Sequence, residues 1–171
     1  MGPRAAPSVP EFSAGPQYAD KTPVFVLKGV GVTGATAVAH NEFAKVYGPF
    51  LNSPVSQADL LKIANGITAL YRQKGYALSR AFVPPQEVKD GRIQVKVVEG
   101  HIDDVAFEGA DGRSFSAHKL LRVITTERPL RLATLERSLL LLSDTPGLRI
   151  KDTTLKELGE SSGRFHLTVH L

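Results

Sequence analysis

Along the chain, apolar positions switch between a period of two and a period near 3.6, and they do so twice in the same order. From Val24 to Val32 the residues are mostly β-branched or aromatic and end at the turn-prone Thr33-Gly34, which predicts a strand. Phe43, Val46, Tyr47 and Phe50 then fall at i, i+3, i+4 and i+7, one face of a short helix that Gly48-Pro49 cuts off. Ser56-Gln57-Ala58-Asp59 has the form of a capping box, and behind it Leu60, Ile63, Ala64, Ile67, Leu70 and Tyr71 make a continuous apolar stripe. This second helix stops at Gly75. Gly66 inside it costs about 1 kcal/mol of helix propensity against alanine, so it is either tolerated or admits a close neighbour, and close packing is the preferred reading. Tyr76 to Val83 reads as a strand ended by Pro84-Pro85, and Lys89-Asp90-Gly91 turns the chain into a further strand from Arg92 to Glu99. There Ile93, Val95 and Val97 share one face, and Gln94 and Lys96 the other.

The second half repeats this order. His101 to Glu108 reads as a strand, Leu120, Leu121, Val123 and Ile124 belong to a short helix, and Leu132, Leu135, Leu139 and Leu142 mark a second helix with Gly147 beyond it. Strands follow at Leu148 to Thr153 and Arg164 to Leu171. The string Gly91-Arg92-Ile93-Gln94-Val95-Lys96-Val97 returns as Gly163-Arg164-Phe165-His166-Leu167-Thr168-Val169, 72 positions later, the same spacing as Gly75 to Gly147. The expected fold is α+β: two tandem β-α-α-β-β domains, each a three-stranded mixed sheet with two helices on one face and a polar face opposite. Residues 1–22, with Pro3, Pro7, Pro10 and Pro16 and few large apolar side chains, are expected to be a disordered tail or linker. Residues 23–99 and 100–171 are expected to be the two domains.

Composition narrows the chemistry. The chain has no cysteine, which excludes disulfides, thiolate zinc sites and cysteine nucleophiles. No run of eighteen apolar residues is present to span a bilayer as a helix. The formal net charge is +4, but 21 lysines and arginines are scattered among 17 acids without a basic run, so no nucleic-acid partner is expected. His40, His101, His118, His166 and His170 lack metal-ligand spacing, and no nucleophile elbow, phosphate loop or converging acid pair appears. Neither an enzyme, a metal site nor a cofactor is expected. Asp103-Asp104 reads as exposed strand charge, and His166 and His170 as sharing a strand face without partners.

One cluster of residues is more particular. The string Leu70-Tyr71-Arg72-Gln73-Lys74-Gly75-Tyr76, followed by Ser79-Arg80-Ala81, Val83-Pro84, Gln86, Asp90-Gly91 and Val98-Glu99-Gly100, resembles the polypeptide-transport-associated (POTRA) domains of two-partner secretion transporters. These are outer-membrane proteins of the hemolysin secretion/activation type, within the Omp85 superfamily. The resemblance covers about residues 24 to 171; Pro129-Leu130, Leu135-Glu136-Arg137 and Asp144-Thr145-Pro146-Gly147 fit it more loosely.

The resemblance implies a periplasmic part of an outer-membrane protein, without catalysis. Its implied partners are an unfolded, β-rich secreted exoprotein, met through its amino-terminal secretion domain, and the transporter's own transmembrane β-barrel, expected to be missing from this chain. In the family the third strand is central, which would make Tyr76 to Val83 an edge. Leu78, Ser79, Arg80, Ala81 and Phe82 are therefore the expected client-binding edge, by β-augmentation; a plain sheet edge blunted by Pro84-Pro85 is the competing reading. Tyr71, Gly75, Tyr76, Pro84, Gln86, Gly91, Glu99 and Gly100 are the expected structural motif. Tyr71 and Tyr76 would pack the core or its rim, Gln86 organise the loop, and Glu99-Gly100 set the inter-domain angle or simply turn. Arg80 would meet the client, the barrel rim or a carboxylate, or face solvent. The alternative function is a scaffold for outer-membrane protein assembly or for docking other periplasmic factors. Because Tyr76 to Gln86 is the elaborated stretch, client binding is expected to favour the first copy.

Overall fold

A computed structural model describes residues 8–9, 22–109 and 115–171. By their internal contacts these divide into two compact units: one runs up to Tyr71 and takes in Arg80–Val97, the other comprises Arg72–Ser79 and Val98–Leu171.

In the first unit, β3 (Gly29–Thr33), β7 (Arg92–Val98) and β5 (Arg80–Phe82) form a sheet with β7 in the centre, and β3 runs parallel to it with Gly29 opposite Arg92. The alternation in β7 is as expected: Ile93, Val95 and Val97 are buried, and Arg92, Gln94 and Lys96 exposed. Helix α2 (Gln57–Gln73) lays Leu60, Ile63, Ala64, Ile67 and Tyr71 into the core. Its capping box is formed, with the Asp59 N–H donating to Ser56 Oγ (3.3 Å) and the Ser56 N–H to Asp59 Oδ2 (3.0 Å). Helix α1 (His40–Tyr47) continues into a single 3-10 turn at Gly48–Phe50, and its Phe43 stacks on Tyr71 with ring centroids 6.2 Å apart. Gly66 is a close-packing position. A Cβ there would lie 2.6 Å from Val46 Cγ1 of α1, so a side chain from the neighbouring helix fills the space.

The first predicted strand is divided. The chain pairs as β2 (Pro23–Val26) antiparallel to β4 (Pro54–Ser56), then changes partner to become β3. The break is at Leu27, fully buried, whose backbone bonds Ser53 and Asn52, and at Lys28, whose N–H donates to the Gly91 carbonyl (2.7 Å). An apolar run buried on both sides of such a switch looks continuous in sequence. Ser8–Val9, within the expected disordered tail, forms β1 antiparallel to β6 (Gln86–Glu87); the tail's other residues up to Lys21 lie outside the described ones.

The second unit repeats the design with β8 (His101–Glu108), β10 (Arg164–His170) and β9 (Asp152–Glu157). Here β10 is central, parallel to β8 and antiparallel to β9, so the sheet is mixed. Helices α3 (Phe115–Thr126) and α4 (Leu132–Ser143) cover one face, and Ile102, Leu121, Ile124, Leu130, Leu135, Leu142, Leu167 and Val169 form the core. The unit's second strand, β9, starts at Asp152 rather than Leu148, because Leu148 and Ile150 pack against the core before the ladder begins.

The repeated Gly-Arg pair has one structural role in both units. Gly91 and Gly163 have φ of 69° and 71°, and the carbonyl oxygen of each accepts a hydrogen bond at the start of the parallel neighbour, from Lys28 N–H (2.7 Å) and His101 N–H (2.9 Å). An added Cβ would meet the Val26 carbonyl at 2.4 Å or Val98 Cγ1 at 2.7 Å, so both positive φ and space demand glycine.

Candidate functional site

The expected edge strand from Tyr76 to Val83 contracts to Arg80–Phe82. Tyr76, Leu78 and Ser79 are held instead by the second unit. The Gly75 carbonyl accepts from the Leu132 N–H at the start of α4 (2.8 Å), supplying a cap that Arg131 at the N-cap lacks. The Arg131 guanidinium lies 5.8 Å from the Tyr76 ring centroid, and hydrogen bonding to Tyr76, then the charges of Tyr76 and Glu127, favour its protonated form beyond the usual. Leu78 packs on the second core. Ser79 is buried and its Oγ accepts from the Gly100 N–H (3.1 Å), while a Cβ on Gly100 would strike the Leu78 carbonyl at 2.3 Å. Leu78 and Ser79 are therefore not edge-strand residues. A run bounded by Gly75 and Pro84-Pro85 reads as a strand; nonlocal burial against the second core overrides it.

What remains of that edge is closed. Ala81 is buried, and its N–H donates to Thr68 Oγ1 of α2 at 2.9 Å, with its carbonyl 3.4 Å from the same oxygen. In a strand the N–H and C=O of one residue point to the same side, so the helix hydroxyl occupies both polar groups of Ala81. Beyond the prolines, Gln86 acts as a substitute strand: its Nε2 donates to the Gln94 carbonyl (2.8 Å) and its Oε1 accepts from the Gln94 N–H (2.7 Å). Nε2 also reaches the Pro84 carbonyl at 3.2 Å.

The corresponding edge of the second unit, β9, is longer and open. Leu158 donates its N–H to the Arg164 carbonyl (2.7 Å), so alternation turns the backbone groups of Leu155 and Thr153 away from β10. Among the described residues the Thr153 N–H meets only the exposed carboxylate of its neighbour Asp152 (2.8 Å). Opposite Leu167 and Val169 in the register, Leu155 and Thr153 point their side chains to the helix side. There a cleft of about 490 Å³ separates β9 from α4, lined by Glu136, Leu139, Leu140, Ser143, Ile150, Asp152 and Thr153. Leu140 is 65% exposed and Leu155 39%. Applying the 72-residue repeat, Thr68 corresponds to Leu140 and Ala81 to Thr153. The position that closes the first edge carries no hydroxyl in the second.

The opposite face of the second sheet is polar and paired. His166 Nδ1 lies 3.6 Å from Asp104, and His170 Nδ1 3.3 Å from Glu108. Sequence reading gave these histidines no partners, because the partners sit across the parallel β8·β10 pair, whose register no local pattern reveals. Asp103 likewise is not merely exposed charge. It accepts from Arg164 Nε (2.5 Å), His101 Nε2 (2.9 Å) and Arg128 (3.4 Å), and the Arg164 hydrogen bond foremost holds its carboxyl below the usual value. Among the described residues no group of three histidine or acidic side chains is placed to hold a metal, and no helix is long and apolar enough to cross a membrane.

A family model described as POTRA domain, ShlB-type, matches residues 25–100. Residues 25–100 are thus similar to ShlB-type POTRA domains. The outer membrane transporter CdiB of Escherichia coli is 31% identical over 102 residues, 60% of this chain and 17% of the transporter. The heme/hemopexin transporter protein HuxB of Haemophilus influenzae is 25% identical over 129 residues, 73% of this chain and 23% of its own length. This chain thus spans less than a quarter of those relatives. A solved structure of CdiB from Escherichia coli matches with a TM-score of 0.71 at 24% identity, covering 95% of this chain and 29% of that one. The N-terminal domain of Omp85 from Thermosynechococcus elongatus matches at 0.61 and 22%, covering 85% of this chain and 66% of that one. These likenesses extend the POTRA fold over the second unit, giving the expected α+β architecture.

Proposed function

We propose that this POTRA tandem is the periplasmic receiving module of an outer-membrane two-partner secretion transporter, and that it takes hold of an unfolded exoprotein by adding an extended segment as a strand beside β9. The observation that carries this reading is an outward-facing backbone at Thr153 and Leu155 next to an apolar cleft. Backbone pairing demands little of sequence, which suits an unfolded client, while alternate side chains entering the cleft supply selectivity. Each new hydrogen bond contributes on the order of 1 kcal/mol net, so a few bonds plus partial burial of Leu140 give weak, reversible binding. Transit requires release, and weak binding permits it. The expected edge at Leu78 to Phe82 is a poorer candidate, since Ser79 is buried and Ala81 is bonded to Thr68.

Leu155→Pro tests this directly. Its N–H faces away from β10, a place where an edge strand tolerates proline, so the native ladder is kept while the added strand loses a donor and meets a ring. With an unfolded fragment bearing an exoprotein's amino-terminal secretion domain as ligand, Leu155→Pro should weaken binding at least about tenfold, and Leu155→Ala less than about threefold. Equal affinity of Leu155→Pro and the parent chain would exclude strand addition at β9 and favour a scaffold role.

A further inference from the structure

We infer that one position on the second helix of each unit gates its sheet edge: Thr68 closes the first edge and Leu140 leaves the second open. This rests on the strand-addition reading above and adds which edge of the tandem is available and which side chain decides it. In the first unit the Thr68 hydroxyl accepts the Ala81 N–H at 2.9 Å while its own proton is within reach of the Ala64 carbonyl at 3.1 Å and the Ala81 carbonyl at 3.4 Å. An incoming strand would have to break a bond already made, and so gains little net at that residue. In the second unit Leu140 and Thr153, the repeat-related pair, both line the cleft. A leucine has no donor or acceptor to offer, so among the described residues the edge there meets the exposed Asp152 carboxylate and otherwise faces solvent. Both are displaced at small cost by a backbone donor and acceptor in ladder geometry.

The occupant that fits is an extended polypeptide whose alternate side chains are apolar. Leu139, Leu140 and Ile150 give the cleft an apolar lining, and an added strand presents every second side chain to it. A helix or a small ligand without a peptide backbone would leave the outward groups of Thr153 and Leu155 without ladder partners. The Thr68–Leu140 difference thus acts together with the shorter first edge: one copy is receptive, and the other is kept from competing for the same segment.

A reciprocal exchange of isosteric side chains in the full chain tests the gate. Leu140→Val and Leu140→Thr have the same shape and differ in one hydroxyl; Leu140 is exposed, so both should fold. Binding of a short synthetic peptide of alternating valine and threonine, with lysine at each end, is followed by calorimetry. Leu140→Thr should bind at least about fivefold more weakly than Leu140→Val, and Thr68→Val should raise the stoichiometry from one peptide per chain to two. Equal affinities for the two Leu140 variants, together with an unchanged stoichiometry in Thr68→Val, would overturn the gate while leaving strand addition intact, provided Leu155→Pro also weakens binding of the peptide. If Leu155→Pro binds the peptide normally, strand addition fails and the gate fails with it.

Discussion

Asp103 is an extra residue in β8, placed where the register against β10 shifts between Phe165 and His166, and this local irregularity aims its carboxylate at three cationic or protonatable partners. The Arg164 hydrogen bond lowers its pKa in the folded state. A carboxyl with a depressed folded pKa contributes stability that is present above its unfolded value and is lost as pH falls through the folded one. Stability of the second unit should therefore decline below about pH 4, the ordinary carboxylate range. Asp103→Asn removes this contribution: its melting temperature should lie below that of the parent at pH 7 and converge with it as pH falls to about 2. A constant gap across that range would show that Asp103 acts by packing alone. The same arginine belongs to the repeated Gly-Arg pair. Gly163 is legible from sequence because its φ is intrinsic to the turn; the ionic role of Arg164 is not, because Asp103 is reached across the parallel strand pair.

At the level of elements, helix contacts explain what propensity leaves open. Gly66 lies in the middle of α2, where alanine would gain about 1 kcal/mol of helix propensity, yet a Cβ would come within 2.6 Å of Val46 Cγ1. Overpacking of this kind costs about 1–3 kcal/mol, so the clash should outweigh the propensity. Gly66→Ala is expected to lower the first unit's unfolding free energy by about 1 kcal/mol, and Gly66→Ala with Val46→Ala to recover it. Chemical denaturation of the four chains of that cycle measures the coupling; additive effects would mean α1 and α2 adjust independently. Strand β5 teaches the complementary lesson. The sequence from Tyr76 to Val83 reads as one strand, but only Arg80–Phe82 finds a ladder, because Leu78 and Ser79 are withdrawn to another core. Gln86 then continues the pairing at Gln94 with a side-chain amide in place of backbone.

At the scale of the whole molecule, the repeat made the α+β tandem readable, since period, caps and turn glycines recur at one spacing and each is a local signal. What local signals do not carry is which core a segment serves. Arg72–Ser79 follows the first unit's second helix without a break in sequence, and by contacts it belongs to the second unit. Two hydrogen bonds and one packing contact hold it there: the Gly75 carbonyl on α4, the Ser79 hydroxyl on Gly100, and the apolar packing of Leu78. The second copy thus completes its core with residues borrowed from before the strand that expectation made the client edge, which is why the candidate site moved to β9. Truncating Leu78 should report this allegiance. Leu78→Ala in the full chain is expected to cost about 2 kcal/mol, near the lower end for a leucine because it is only partly buried. Hydrogen exchange locates the loss: amides of β8, β10 and α4 should exchange faster, by up to about thirtyfold where they open with the second core, while those of β3, β7 and the first turns of α2 keep their protection. Faster exchange in β3 and β7 instead would assign Leu78 to the first core and restore Tyr76 to Val83 to the unit in which the sequence alone would place it.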